Sequence, residues 1–295
     1  MPVLNLKRRI FPFLLFAVIC TPAFGQLIPF NEASLRSEVE FLSDSTRCGR
    51  VTGSREAADA AFYIARQMRS CGLDVRVDSF LSGEKVGHNV EGLLLKPGCE
   101  KYVIVMAHYD GAGSKCPGAD SNVSGVAALL ALARGRDYSK LESNVIYVAL
   151  DGHYDNSAGA ARLLRSLEER GIKTRQISLV VNLDILGSTL VPPHKGAKNY
   201  LIALGADRRQ ELMSRCNFDI WMFVYTDYYG SRSFTDLFYR KASDHCPFLQ
   251  KGVPCVMFTS GITLNTNRPS DTASELDYEV FCKRVRYINR WLENY

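Results

Sequence analysis

Apolar positions along this chain follow two periods. One apolar run, Tyr102-Val-Ile-Val-Met-Ala-His108, ends in a polar turn at Asp110, and a second apolar run fills residues 126–133. A run that is apolar at every position predicts a strand buried on both faces, as in parallel sheets packed between helices. Residues 144–150, 177–183 and 253–259 read in the same way. Residues 74–80 alternate as a half-buried strand, residues 89–95 and 201–204 predict further strands, and 221–225 form another apolar segment. Helical spacing and caps predict helices from Asn31, from Ser54 to about residue 71, over 121–134 with Ser121 or Asn122 as cap, over 157–170 and over 207–216, with a short one within 243–252. From Asp277 a last helix lines up Phe281, Val285, Ile288 and Leu292 in an apolar stripe. Strands alternating with helices of this length predict a single α/β domain with a largely parallel, right-handed sheet. No repeat, low-complexity tract or linker divides residues 26–295.

Composition changes the picture at the amino terminus. Lys7, Arg8 and Arg9 precede the apolar run 10–20, and Ala23-Phe24-Gly25 places small residues where signal peptidase reads, so residues 1–25 are expected to be a cleaved export signal. The run is too short for a membrane anchor, which needs about 18 or more apolar residues, and lipid attachment at Cys20 is disfavoured by the bulky Ile19. The expected location is periplasmic or extracellular, with no membrane association after cleavage. Removing the three basic residues of the signal from the 36 in the chain leaves 33 against 31 acidic residues, so the net charge falls from +5 to +2. With no long basic run carrying interleaved aromatics, nucleic acid is not an expected partner. Eight cysteines remain, at 48, 71, 99, 116, 216, 246, 255 and 282; they allow 105 pairings and show no zinc-ribbon spacing. Oligomeric state is not encoded in any of this.

Ligands of an open α/β sheet bind outside the carboxyl ends of its strands. Three such ends carry polar groups here: His108 with Asp120 in the following loop, His153 after the strand 144–150, and Asp184 after the strand 177–183. A metal or catalytic site is the expectation.

The loops Ala107-His-Tyr-Asp110, Pro117-Gly-Ala-Asp120, Asn182-Leu-Asp184, Ser243-Asp-His245 and Lys251-Gly-Val-Pro254 occur in the order and at the intervals of the zinc exopeptidases of metallopeptidase family 28, which include leucyl aminopeptidases and glutaminyl cyclases. The chain resembles that family from about residue 89 to 277. The resemblance implies a twisted, mixed, mostly parallel sheet with helices on both faces. It also implies two zinc ions, the first held by the His of the first motif and the Asp of the third, the second by a Glu and a late His, with the Asp of the second motif bridging them. A further Glu takes a proton from the zinc-bound water. His108, Asp184 and Asp120 match the first ion's ligands and the bridge. His153 stands at the proton-accepting Glu, Tyr154 at the ligand Glu, and Asn267 at the late His.

Amide and phenol are poor zinc ligands beside imidazole and carboxylate. Two zinc ions are therefore not expected; one or none is. The leading expectation is an exported aminopeptidase-like protein with a half-lost site and impaired or absent peptide hydrolysis. Two alternatives stay open: a single-zinc peptidase using His108, Asp120 and Asp184 with His153 as base, and a protein that binds peptide amino termini or serves as a scaffold on an inactive enzyme fold. Glutaminyl cyclization is disfavoured because the ligand Glu and late His it needs are replaced. Asp244 and His245 are expected only to stabilise a helix start, and the aromatics Tyr225, Tyr228, Tyr229 and Phe234 to line a pocket or pack a surface loop.

Overall fold

A computed structural model describes residues 30–47, 49–135, 142–207, 209–217 and 220–295. The expected export signal, Cys20 and Cys48 lie outside them. Strands β1 (Asp74–Ser82), β2 (Lys85–Leu94), β3 (Tyr102–His108), β4 (Asn144–Leu150), β5 (Ile177–Leu183), β6 (Tyr200–Leu204), β7 (Phe223–Tyr225) and β8 (Cys255–Thr259) form one sheet in the order β1-β2-β4-β3-β5-β8-β6-β7. The central pairs β4/β3, β3/β5 and β5/β8 are parallel, as is β6/β7 at one edge. The hairpin β1/β2 joins β4 antiparallel, and β6 runs antiparallel to β8. The sheet is therefore mixed around a parallel centre.

Period-2 geometry explains why β3 must be apolar throughout. Val103, Val105 and Ala107 face a layer built from helices α1 (Glu32–Leu42), α2 (Arg55–Ser70), α3 (Ser124–Gly135) and α8 (Tyr278–Glu293). Ile104 and Met106 face the opposite layer, where Leu163 and Leu167 of α4 (Ala158–Glu169) and Phe248 of α7 (Cys246–Gln250) cover them. Removing such side chains from water on both faces contributes roughly 1.5–3 kcal/mol each. The expected stripe of α8 is buried at all four positions, and Trp291 joins it.

Three local differences bear on the site. Helix α3 begins at Ser124, later than the sequence spacing predicts, because residues 119–123 form a wider turn in which Ser121 and Asn122 leave helical angles. Asn122 then serves as the cap, its Oδ1 accepting from the Gly125 amide at 3.1 Å. The aromatic stretch after Tyr229 contains an unexpected helix, α6 (Arg232–Arg240), capped by Ser231. Among the described residues no two cysteines are joined, and no helix is long and apolar enough to cross a membrane.

Candidate functional site

Parallel strands β3, β4 and β5 end side by side, so His108 at the end of β3, the loop 151–157 after β4 and Asp184 after β5 meet above the sheet edge. His108 is buried, with its Nδ1 3.3 Å from Asp110 Oδ1 and its Nε2 3.7 Å from Asp184 Oδ1. Burial opposes charge on this ring, but the facing carboxylates of Asp110 and Asp184 outweigh it and hold the imidazole well above its ordinary pKa.

His153 stacks flat on His108, ring centroids 3.9 Å apart and planes 9° from parallel. Its Nδ1 lies 2.9 Å from Oδ2 of Asp244, a fully buried carboxylate just ahead of α7. Burial works against both charges, and the partner overcomes it: His153 is raised from its ordinary value, and Asp244 is held well below the usual carboxylate range. The sequence predicts only a helix-start role for Asp244; its partner is 91 positions away, and nothing local announces it. His245 stands at the start of α7 but makes no side-chain cap bond there; its Nε2 lies 2.7 Å from the Tyr239 carbonyl near the end of α6.

The expected convergence of Asp120 on His108 and Asp184 is corrected by the turn at 119–123. The Asp120 carboxylate accepts from the Gly187 amide at 2.7 Å and the Ser188 amide at 3.1 Å. Burial first, then repulsion from Asp271, raises it to about 7. Asp271 in turn accepts the Asp120 and Ser121 amides, fixing the turn. The next side chain, Ser121, points at the other half of the site. Its Oγ donates to Asn267 Oδ1 at 3.2 Å and lies 3.4 Å from the Tyr154 hydroxyl, which donates to the same Asn267 oxygen at 2.5 Å. Tyr154 and Asn267, separated by 113 positions, are thus brought together as the sequence expected, and Ser121 joins them.

Donor chemistry tests the fit of zinc here. Two ligands of one tetrahedral ion, each at about 2.0–2.2 Å, lie about 3.3 Å apart, so His108 Nε2 and Asp184 Oδ1 span a zinc-like width but make only two donors where catalytic sites use three. The cluster Ser121, Tyr154 and Asn267 offers neutral oxygens already committed to one another. Burial also raises the Tyr154 phenol from its ordinary pKa, away from the phenolate a metal would need. His108, His153 and Asp244 are the one group of three or more His, Cys, Asp or Glu among the described residues whose ligand atoms lie within 4.8 Å of one another. An ion bound by imidazole sits in the ring plane, and two rings stacked in parallel aim side by side instead of at one point. The side chains present do not fit a pair of zinc ions.

Of the remaining aromatics, Tyr228 is buried with Tyr200, Ile202, Leu204 and Met257, and Tyr225 and Tyr229 pack against this cluster; Tyr228 stacks on Phe238 at 4.5 Å, and its hydroxyl accepts from the Ile262 amide.

The mixed sheet, covered by helices on both faces and bearing its polar cluster at the carboxyl ends of parallel strands, defines a protein of the zinc-exopeptidase fold. A zinc aminopeptidase of Bacillus subtilis superposes with a TM-score of 0.75 at 15% identity, covering 90% of this chain and 95% of that one. A Porphyromonas gingivalis glutaminyl cyclase superposes at 0.67 with 18% identity, covering 91% and 99%. In sequence, a glutaminyl-peptide cyclotransferase of Drosophila melanogaster is 26% identical over 283 residues, 86% of this chain and 79% of that protein. The model of Peptidase family M28 matches residues 89–291, and the chain belongs to that family.

Proposed function

We propose that this chain is an exported family M28 protein that has lost two-zinc peptide hydrolysis and binds peptide amino termini in the cleft the family uses for catalysis. The observation that carries the reading is the cluster in which the Ser121 and Tyr154 hydroxyls both donate to Asn267 Oδ1 and lie 3.4 Å from each other. Tyr154 and Asn267 are joined to each other and to Ser121 where the resemblance implies a carboxylate and an imidazole ligand. The proton-accepting carboxylate is also replaced, by His153. Losing an activated-water base alone costs roughly 100- to 10,000-fold in rate. The peptide end is the proposed ligand because the fold's aminopeptidase relatives act at that end and the cleft walls of this chain keep three carboxylates, Asp110, Asp184 and Asp244, facing two imidazoles.

A second reading, a single-zinc peptidase with His153 as base, is favoured by the 3.7 Å spacing of His108 and Asp184. It requires a third donor, and Asp120 is engaged by two amides elsewhere.

Turnover of amino-acyl chromogenic anilides by the mature protein, with and without added zinc, tests the reading. Turnover at background under both conditions, together with saturable binding of an unblocked peptide but not its N-acetylated form, is expected. Ordinary aminopeptidase turnover overturns it.

A further inference from the structure

We infer that His153 and Asp244 form a metal-independent acid–base dyad that hydrolyses small acyl esters seated in the cavity beside His153. The inference rests on the proposed loss of two-zinc chemistry and adds an activity to the same cleft.

The geometry is that of an oriented base. Asp244, wholly buried, accepts a 2.9 Å hydrogen bond from the Nδ1–H of His153 and so leaves Nε2 as the working nitrogen. Nε2 makes no hydrogen bond among the described residues. The ring cannot swing away, because His108 stacks on one face at 3.9 Å and the Tyr154 ring abuts it edge-on at 4.9 Å. His153, Tyr154, Ser157, Lys241 and Gln250 line a cavity of about 360 Å³. That is within the range of about 300–1,000 Å³ typical of small-molecule sites. A buried carboxylate, a locked imidazole and a cavity lined by that imidazole are the parts general acid–base catalysis uses.

The proposed step is a hydrolysis without redox change. His153 Nε2 takes a proton from water as the water oxygen bonds to the acyl carbon. The tetrahedral adduct then collapses with cleavage of the bond between acyl carbon and alkoxy oxygen, and Nε2 returns the proton to the departing alkoxide. One acid and one alcohol result. Esters are the matched class because no Lewis acid is invoked to polarise the less reactive amide carbonyl, and an alkoxide leaves more readily than an amide nitrogen.

The test uses the full mature chain after exhaustive dialysis against a chelator, with p-nitrophenyl acetate and p-nitrophenyl butyrate as probes. Saturable hydrolysis above the buffer rate is expected to survive the chelator. His153→Gly should lower kcat about 100-fold, with partial recovery on adding free imidazole, beyond the imidazole blank. Asp244→Asn should lower kcat with little change in KM, the signature of a positioning residue. His153→Gln, which keeps the volume of the ring, should remain inactive while retaining the wild-type circular dichroism spectrum. Hydrolysis no faster than buffer with or without chelator, equal rates in wild type and His153→Gly, or no rescue by imidazole overturns the dyad and leaves the loss of two-zinc chemistry standing. Hydrolysis abolished by the chelator and restored by zinc overturns both.

Discussion

The Tyr154 hydroxyl donates to the side-chain carbonyl of Asn267 at 2.5 Å, closing a contact between the loop after β4 and the loop after β8. Asn267 takes a left-handed backbone conformation, φ 62°, one that asparagine tolerates better than most side chains. The pair ties two loops together where the family resemblance places two metal ligands. A net contribution of about 0.5–1.5 kcal/mol is ordinary for such a bond. Tyr154→Phe should lower the free energy of unfolding in urea by about 1 kcal/mol. It should also leave Ser121 as the remaining donor to Asn267.

Asp120 makes stability depend on pH with a defined sign. Its folded-state pKa, about 7, lies above its unfolded value of about 3.9. Between those values the folded chain holds a proton that the unfolded chain has lost, so this group's contribution to stability falls as pH rises from about 4 to 7. Below that window both states are protonated and the effect vanishes. Asp120→Asn should flatten this part of the profile, and urea unfolding of both proteins at pH 4.5 and pH 7 measures the difference in slope.

Arg284 supports the loop that presents its amides to Asp120. It is fully buried and donates to the carbonyls of Leu186, Ser188 and Tyr200 at 2.7–2.8 Å. Burial lowers its pKa from the ordinary guanidinium value, against the pull of the Tyr200 hydroxyl and the Asp120 carboxylate. Arg284→Met leaves three buried acceptors unpaired at about 1–3 kcal/mol each. A loss of about 3 kcal/mol or more is expected, read by urea unfolding. Asp120 should titrate differently in the variant because a neighbouring cation is gone.

Much of this arrangement was legible from residue order. An uninterrupted apolar strand can be buried only between two layers, so β3, β4 and β5 and the polar residues at their ends were fixed by pattern alone. That placed His108, His153 and Asp184 around one cleft, and the resemblance brought Tyr154 and Asn267 together. Side-chain direction within a turn was not legible. Asp120 and Ser121 are adjacent, and which of them faces the cleft depends on the non-helical angles of Ser121 and Asn122, which no periodicity encodes. The link from Asp244 to His153 was equally silent, because a buried pair far apart in sequence leaves no local pattern. Helix α6 carries a local signal, a Ser231 cap followed by Phe234, Leu237 and Phe238 at helical spacing, masked by the aromatic loop before it.

Metal content decides the central claim most directly. The protein, equilibrated with excess zinc, passed through a desalting column and analysed by inductively coupled plasma mass spectrometry, should carry far less than one zinc ion per chain. The variant Ser121→Asp, Tyr154→Glu, Asn267→His, which places two carboxylates and an imidazole where these three side chains meet, should retain more zinc than wild type under the same treatment. Two zinc ions held tightly by the unaltered protein would contradict the account.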